Sequence, residues 1–169
     1  MSGPITKSSA RAILLDGKDL VLFKRTRTGQ TPYWTTIGGG VEPEDPDVEA
    51  ALHREVFEEI GGTVHSAQLV HLLTERIPGG LKVQYVFAAR LASMNPGRRT
   101  GDEFDQPERG EYELVRLPFT AEGVGGIDLM PTSLRGFIAA NIEAIRSVLD
   151  HPVHVPRAPL TTLRRFRHC

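Results

Sequence analysis

The chain has 169 residues, 40% of them apolar, and a formal net charge of −1, which suits one domain with a single buried core. No apolar run reaches the 18 or more residues of a membrane span. Its one cysteine, Cys169, excludes an internal disulfide and a cysteine-based metal site.

In chain order, Ser9 to Leu15 and Leu20 to Arg25 read as two strands around the turn Asp16-Gly17-Lys18-Asp19, as in a hairpin. Arg27 to Pro32 is a polar loop, Tyr33 to Ile37 a short strand, and Gly38-Gly39-Gly40 a glycine-rich turn. Asp45-Pro46-Asp47 signals a helix start, with Asp45 as the cap and Pro46 at the first helical position. Val48, Leu52, Val56 and Ile60 recur every four residues, the spacing of a buried helix face, and Gly61-Gly62 ends the helix. Thr63 to Glu75 is strand-like, with Ala67, Leu69 and Leu73 on one parity. After the turn Ile77-Pro78-Gly79-Gly80, Val83, Tyr85, Phe87, Ala89 and Leu91 alternate along a further strand. Ser93 to Gly110 is a long polar loop, a kind that is often functional. Tyr112 to Leu117 reads as another strand. Leu134, Ile138, Asn141, Ile142, Ile145 and Leu149 follow helical spacing in one final helix, capped by Thr132 or Ser133. The expected order is β-β-β-α-β-β-loop-β-α, within a domain of residues 1–150.

Residues 151–169 form a basic tail with Arg157, Arg164, Arg165 and Arg167 and no acid. All 21 acids lie at or before Asp150 with 16 of the 20 basic residues, so the body carries about −5. A near-neutral body weighs against a dedicated nucleic-acid binder, although the tail's arginines keep RNA-end chemistry open. The tail's Val153, Val155, Leu160, Leu163 and Phe166 are apolar enough to dock on a second protomer instead. Met1 to Lys7 lacks the basic-then-apolar pattern of a secretory leader, so a cytoplasmic location is expected.

The chemistry concentrates on the first helix. Glu55, Glu58 and Glu59 stand at i, i+3 and i+4 and share a face. Most glutamate runs are solvated acidic faces. Three like charges with no lysine among them nevertheless call for cations, and hard divalent ions such as Mg2+ prefer carboxylate oxygen. The glycines before the helix allow close backbone approach and could lend a carbonyl.

Gly39 to Gly62 resembles the signature of the Nudix hydrolase family (MutT-like). Arg54, Glu55, Val56, Glu58, Glu59 and Gly61 match it position by position, and Gly38-Gly39-Gly40-Val41-Glu42 matches the stretch that opens it. Three departures stand out. Pro46 sits where an early glutamate is usual, with Asp45 or Glu44 as its substitute. Ile37 stands where proline is common, and Gly62 fills the final apolar position. The resemblance implies an α/β Nudix fold, a mixed curved β-sheet sandwiched between α-helices. It also implies Mg2+-dependent (or Mn2+-dependent) hydrolysis of a pyrophosphate bond in a nucleoside diphosphate linked to another moiety. Carried over by position, Glu55, Glu58, Glu59 and Arg54 are the catalytic residues. Glu55, Glu58 and Glu59 are also the metal ligands, with a carbonyl of Gly38 or Gly39.

Arg54 either orients a carboxylate or makes a surface pair with Glu58. The base is Glu55 or a loop acid such as Glu103, Asp105, Glu108 or Glu111. Lys24, Arg25 and Arg27 are in place to bind substrate phosphate, and strand parity lets only one of Lys24 and Arg25 point inward. Tyr33, Trp34 and Phe104 could stack on a base, with buried core the default for Trp34. An isopentenyl diphosphate isomerase of the same superfamily would need a cysteine in its site, which the terminal Cys169 argues against. A non-catalytic Nudix-like regulator that binds nucleotide is the main alternative, although such modules usually lose the glutamates retained here. The expected partners are a small nucleotide-type substrate and, on family grounds, a second copy in a homodimer.

Overall fold

A computed structural model describes residues 3–153. The arginines and most apolar residues of the basic tail lie outside the described residues. Among the described residues are eight strands and four helices, and the strands form one mixed sheet. They are β1 (Ile5–Asp16), β2 (Asp19–Thr26), β3 (Tyr33–Thr35), β4 (Ile37–Gly40), β5 (Gly62–Ile77), β6 (Gly80–Met94), β7 (Glu111–Pro118) and β8 (Leu129–Met130). Four helices accompany them: α1 (Val48–Ile60), α2 (Ala121–Gly125), α3 (Thr132–Ala140) and α4 (Ile142–Asp150). The sheet runs β5-β6-β1-β2-β3-β8, with β4 on β1 and β7 on β2. The β1–β6 and β3–β8 pairs are parallel and the others antiparallel.

The expected hairpin forms, with Asp16 opposite Asp19 and Gly17 in the left-handed region at φ 60°. Beyond it β1 and β2 part. Ser9 to Ala12 of β1 pair with β4 and Phe23 to Arg25 of β2 pair with β3, so the two short strands fill the gap. The expected glycine turn is therefore strand. Gly38 to Gly40 pair with Arg11, Ala10 and Ser9. Three glycines carry no side-chain alternation, so nothing in them signalled a strand. Gly38 is required where it stands, because its φ is 133° and a Cβ there would lie 2.1 Å from the Ala10 carbonyl oxygen.

Each face of the sheet has its own apolar cluster. Ala10, Ala12, Val21, Phe23 and Phe87 pack with Leu52, Val56 and Ile60 of α1. Ile13, Leu15, Leu20, Leu22 and Val86 pack with Leu134 and Ile138 of α3 and Ile145 and Leu149 of α4. The sheet is thus covered by helices on both sides, as expected for this fold, with two clusters where a single core was anticipated.

Several elements differ from expectation. The cap of α1 is Asp47, which accepts from the Ala50 N–H at 2.7 Å, so the helix starts after Asp47 and Asp45 is released for another contact. The final helix is two. Asn141, at φ −127° and ψ 23°, breaks it, and α3 follows Pro131 with no side-chain cap from Thr132 or Ser133. Apolar spacing reports which face is buried and runs through such a break unchanged. In β5 the register shifts between His65 and Gln68 and again between Leu69 and His71. Leu69 is consequently 52% exposed while Leu73 packs inward, so a single parity does not hold. The 93–110 segment begins as the end of β6 and continues through three 3-10 turns. The helix α2 and the strand β8 had no counterpart in the expected order.

Candidate active site

Helix α1 carries the candidate residues. Its glutamates differ in burial: Glu59 is only 8% exposed, and the side chains of Glu55 and Glu58 are 12% and 35% exposed. Glu59 lies on the buried face, where its Oε2 accepts from the Gly38 N–H at 2.7 Å. Glu55 is packed so closely on Gly39 that a Cβ there would stand 2.4 Å from its carboxylate. Burial pushes the Glu55 carboxyl above its ordinary value, while Arg54 opposes the rise and Glu58 adds to it. The glutamate face is therefore partly desolvated.

Arg54 organises the cluster. Its Nε and Nη2 donate to both oxygens of Asp45 at 3.0 and 2.9 Å, and Nη2 also donates to the Gly40 carbonyl at 2.8 Å. Its Nη1 donates to Glu55 and to Glu58, each at 3.0 Å. The surface pair with Glu58 is thus one contact in a network of five. Arg54 holds the Asp45 carboxyl below its usual range, against the opposing effect of burial. Asp45 also accepts from the Glu42 N–H at 2.8 Å, which closes the turn before α1. Of the two candidates for the displaced early acid, Asp45 is buried on Arg54 and Glu44 is exposed.

Arg11 was not anticipated. Its Nη1 donates to the Gly38 carbonyl at 2.5 Å and to that of Thr36 at 3.3 Å. The sequence offered one hint, a charged residue inside the apolar run of β1. The Gly38 oxygen thus already has a partner.

Among the described residues no three His, Cys, Asp or Glu side chains stand together as a preformed metal cage. The donor chemistry nevertheless fits a divalent cation. Arg54 Nη1 bonds both Glu55 and Glu58, so the two carboxylates converge on one point. The partly desolvated Glu55 also gains from added positive charge.

The residues expected to bind phosphate separate. Phe23 belongs to the α1-side cluster, so Arg25, of the same parity on β2, shares the face of the glutamates. Its guanidinium is 3.4 Å from the Tyr112 ring centroid and donates to the Arg109 carbonyl at 2.6 Å. Lys24 has the parity of Leu22 and lies on the opposite face, 3.9 Å from Glu113 and beside Trp34. Exposed Arg27 donates to the Arg109 carbonyl at 3.2 Å. Trp34 packs against the α3–α4 cluster, in line with its default reading.

Asp105, Glu108 and Glu111 are exposed, and among the described residues none bonds to α1. The Glu103 side chain lies outside what the structure describes. The backbone of this connection does reach the helix. The Thr100 and Gly101 N–H groups both donate to the Glu58 carbonyl at 2.9 Å, and that of Asn95 donates to the Gly61 carbonyl at 3.0 Å.

Comparison with known proteins agrees with this geometry. A family model described as "NUDIX domain" matches residues 6–122. No curated protein matches the chain. Among solved structures, a MutT Nudix hydrolase from Burkholderia pseudomallei is similar at 25% identity and a TM-score of 0.50, covering 67% of this chain and 83% of that one. The E. coli ORF135 protein is similar at 20% identity and a TM-score of 0.57, covering 90% and 100%. A structure described as an ADP compounds hydrolase is similar at 17% identity and a TM-score of 0.62, covering 90% and 77%. With the family model spanning most of the chain, the protein belongs to the Nudix family of hydrolases, which act on acid anhydrides of phosphorus in nucleoside diphosphate derivatives.

Proposed function

We propose that this enzyme hydrolyses the pyrophosphate bond of a nucleoside diphosphate linked to another moiety, with Mg2+ or Mn2+ held by Glu55, Glu58 and Glu59. One observation carries the reading: the carboxylates of Glu55 and Glu59 meet the Gly38–Gly40 strand, and one arginine gathers Glu55 with Glu58. A bound divalent cation would neutralise the diphosphate and polarise its phosphorus-bound oxygens.

The chain's own residues set the geometry for that chemistry. Asp45 and the Gly40 carbonyl hold Arg54, Arg54 orients Glu55 and Glu58, and the Gly38 N–H fixes Glu59. Arg25 and Arg27 are the candidates for contacting substrate phosphate, and Lys24 is the weaker one because it lies on the far face. Glu55 is the favoured general base, since among the described residues Asp105, Glu108 and Glu111 form no hydrogen bond with the helix. The division into a hydrolase domain over residues 1–150 and a basic tail belongs to the same reading. So does a cytoplasmic location. Among the described residues no helix is long and apolar enough to cross a membrane.

The test is a panel of nucleoside diphosphate derivatives with Mg2+ or Mn2+, scored for released nucleotide. At least one should be cleaved with metal present and none in EDTA. Cleavage of none would overturn the activity, and full activity in EDTA would overturn the metal's role.

A further inference from the structure

We propose that the cleft between β7 and the 95–110 connection is the subsite for the nucleoside part of the substrate, with the Arg99–Phe104 pair as its stacking platform. This rests on the hydrolase reading above. The cleft has a volume of about 820 Å³, and Thr26, Arg27, Arg99, Phe104, Gln106 and Tyr112 are among its walls. That volume lies within the usual range of small-molecule sites.

Its position suits a substrate whose diphosphate reaches the glutamates. Phe104 and Tyr112 pack on the same apolar cluster as Leu52, Val56 and Ile60 of α1, so these two walls of the cleft lie on the glutamates' face of the sheet. The Gly101 N–H is bonded to the Glu58 carbonyl. From Gly101 to Phe104 there is at most about 11 Å of chain. The interval from Phe104 to the Glu58 main chain is thus on the scale of a nucleotide.

The chemistry of the walls selects a base. The Arg99 guanidinium lies 4.1 Å from the Phe104 ring centroid. Arg99 is exposed and has no carboxylate partner among the described residues. It therefore presents a flat cationic face, and bases stack on such faces and on aromatic rings. Phe104 is braced from behind by Tyr112, at 5.2 Å between centroids, and by Phe23 at 5.7 Å. The Thr26 and Thr28 hydroxyls, the Gln106 amide and the Asp105 carboxylate supply donors and acceptors for a base edge. A bare phosphate fits less well, because Asp105, Glu111 and Glu113 line the same cleft.

The experiment is an equilibrium titration of the full chain, in EDTA, with nucleoside monophosphates and with ribose 5-phosphate, alongside the variants Arg99→Ala and Phe104→Leu. The wild type should bind at least one nucleoside monophosphate about tenfold or more tighter than ribose 5-phosphate. Each variant should lose most of that preference while leaving ribose 5-phosphate affinity within about twofold. Wild-type discrimination that survives in Arg99→Ala would overturn the proposal, and so would no discrimination in the wild type. Arg99 is exposed, so its variant remains informative if Phe104→Leu fails to fold. Hydrolysis assays on the same samples separate the two readings. Cleavage with base preference unchanged in the variants sinks the subsite alone. Base-selective binding with no diphosphate cleaved sinks the hydrolase reading alone.

Discussion

Arg54 joins the turn before α1, the glycine strand and two of the three glutamates, and its strongest attachment is the two-pronged pair with Asp45. Replacing one member of a buried, hydrogen-bonded charge pair leaves the other poorly satisfied. Asp45→Asn should therefore lower stability by about 1–3 kcal/mol and weaken catalysis through the loosened Arg54. The pH dependence has a definite sign. Arg54 depresses the Asp45 carboxyl in the folded state, so its contribution is fully present above the unfolded carboxylate value near about 3.9. It is lost as pH falls through the lower folded value. Thermal melts of wild type and Asp45→Asn should differ most near neutrality and draw together as pH falls from the unfolded carboxylate value through the lower folded one. A gap that does not narrow over that acid range would show that the pair is not its source. Asp45 was legible as an acid of structural role, but its contact was not. Asp45 and Asp47 both precede the helix, and only the fold decides which one caps it and which one turns to Arg54.

At the scale of elements, the end of α1 and the start of the 95–110 connection form one unit. Gly61 caps the helix at φ 61° and ψ 30°, and a Cβ there would stand 1.9 Å from the Asn95 carbonyl oxygen. Gly61→Ala thus meets both a left-handed backbone, costing about 1–2 kcal/mol, and a collision with main chain. Gly40 has open space around it and no positive φ. Gly40→Ala should change stability by no more than about 0.5 kcal/mol. Urea unfolding of both variants checks the contrast, and equal losses would contradict this account of the helix end.

The same scale shows what a sequence conveys. Helix α1 was readable because four apolar residues and a double glycine mark its face and its end. The break at Asn141 was hidden because Leu134, Ile138, Ile142 and Ile145 keep one rhythm across it. The bulges of β5 were hidden because alternation assumes an unbroken register.

At the scale of the whole molecule, the sheet separates two tasks. One face packs on α3 and α4, and the other carries α1 and the glutamates. The glutamates were legible because helical spacing alone places them together. In the 93–110 segment Phe104 was readable as a stacking residue, but its meeting with Tyr112 and Phe23 was not, since β2, β7 and that segment come together only through tertiary pairing.

If the buried charge on α1 drives hydrolysis, Glu59→Gln removes it with little other change. A glutamine oxygen can still accept from the Gly38 N–H, so the fold should survive while the negative charge is removed. The measurement is kcat/KM for the best-cleaved nucleoside diphosphate derivative with Mg2+, for wild type and variant, with thermal melts of both. The account predicts a loss of about a hundredfold or more, on the scale of removing a group that stabilises the transition state, with melting little changed. Wild-type kcat/KM in a folded Glu59→Gln protein would contradict it.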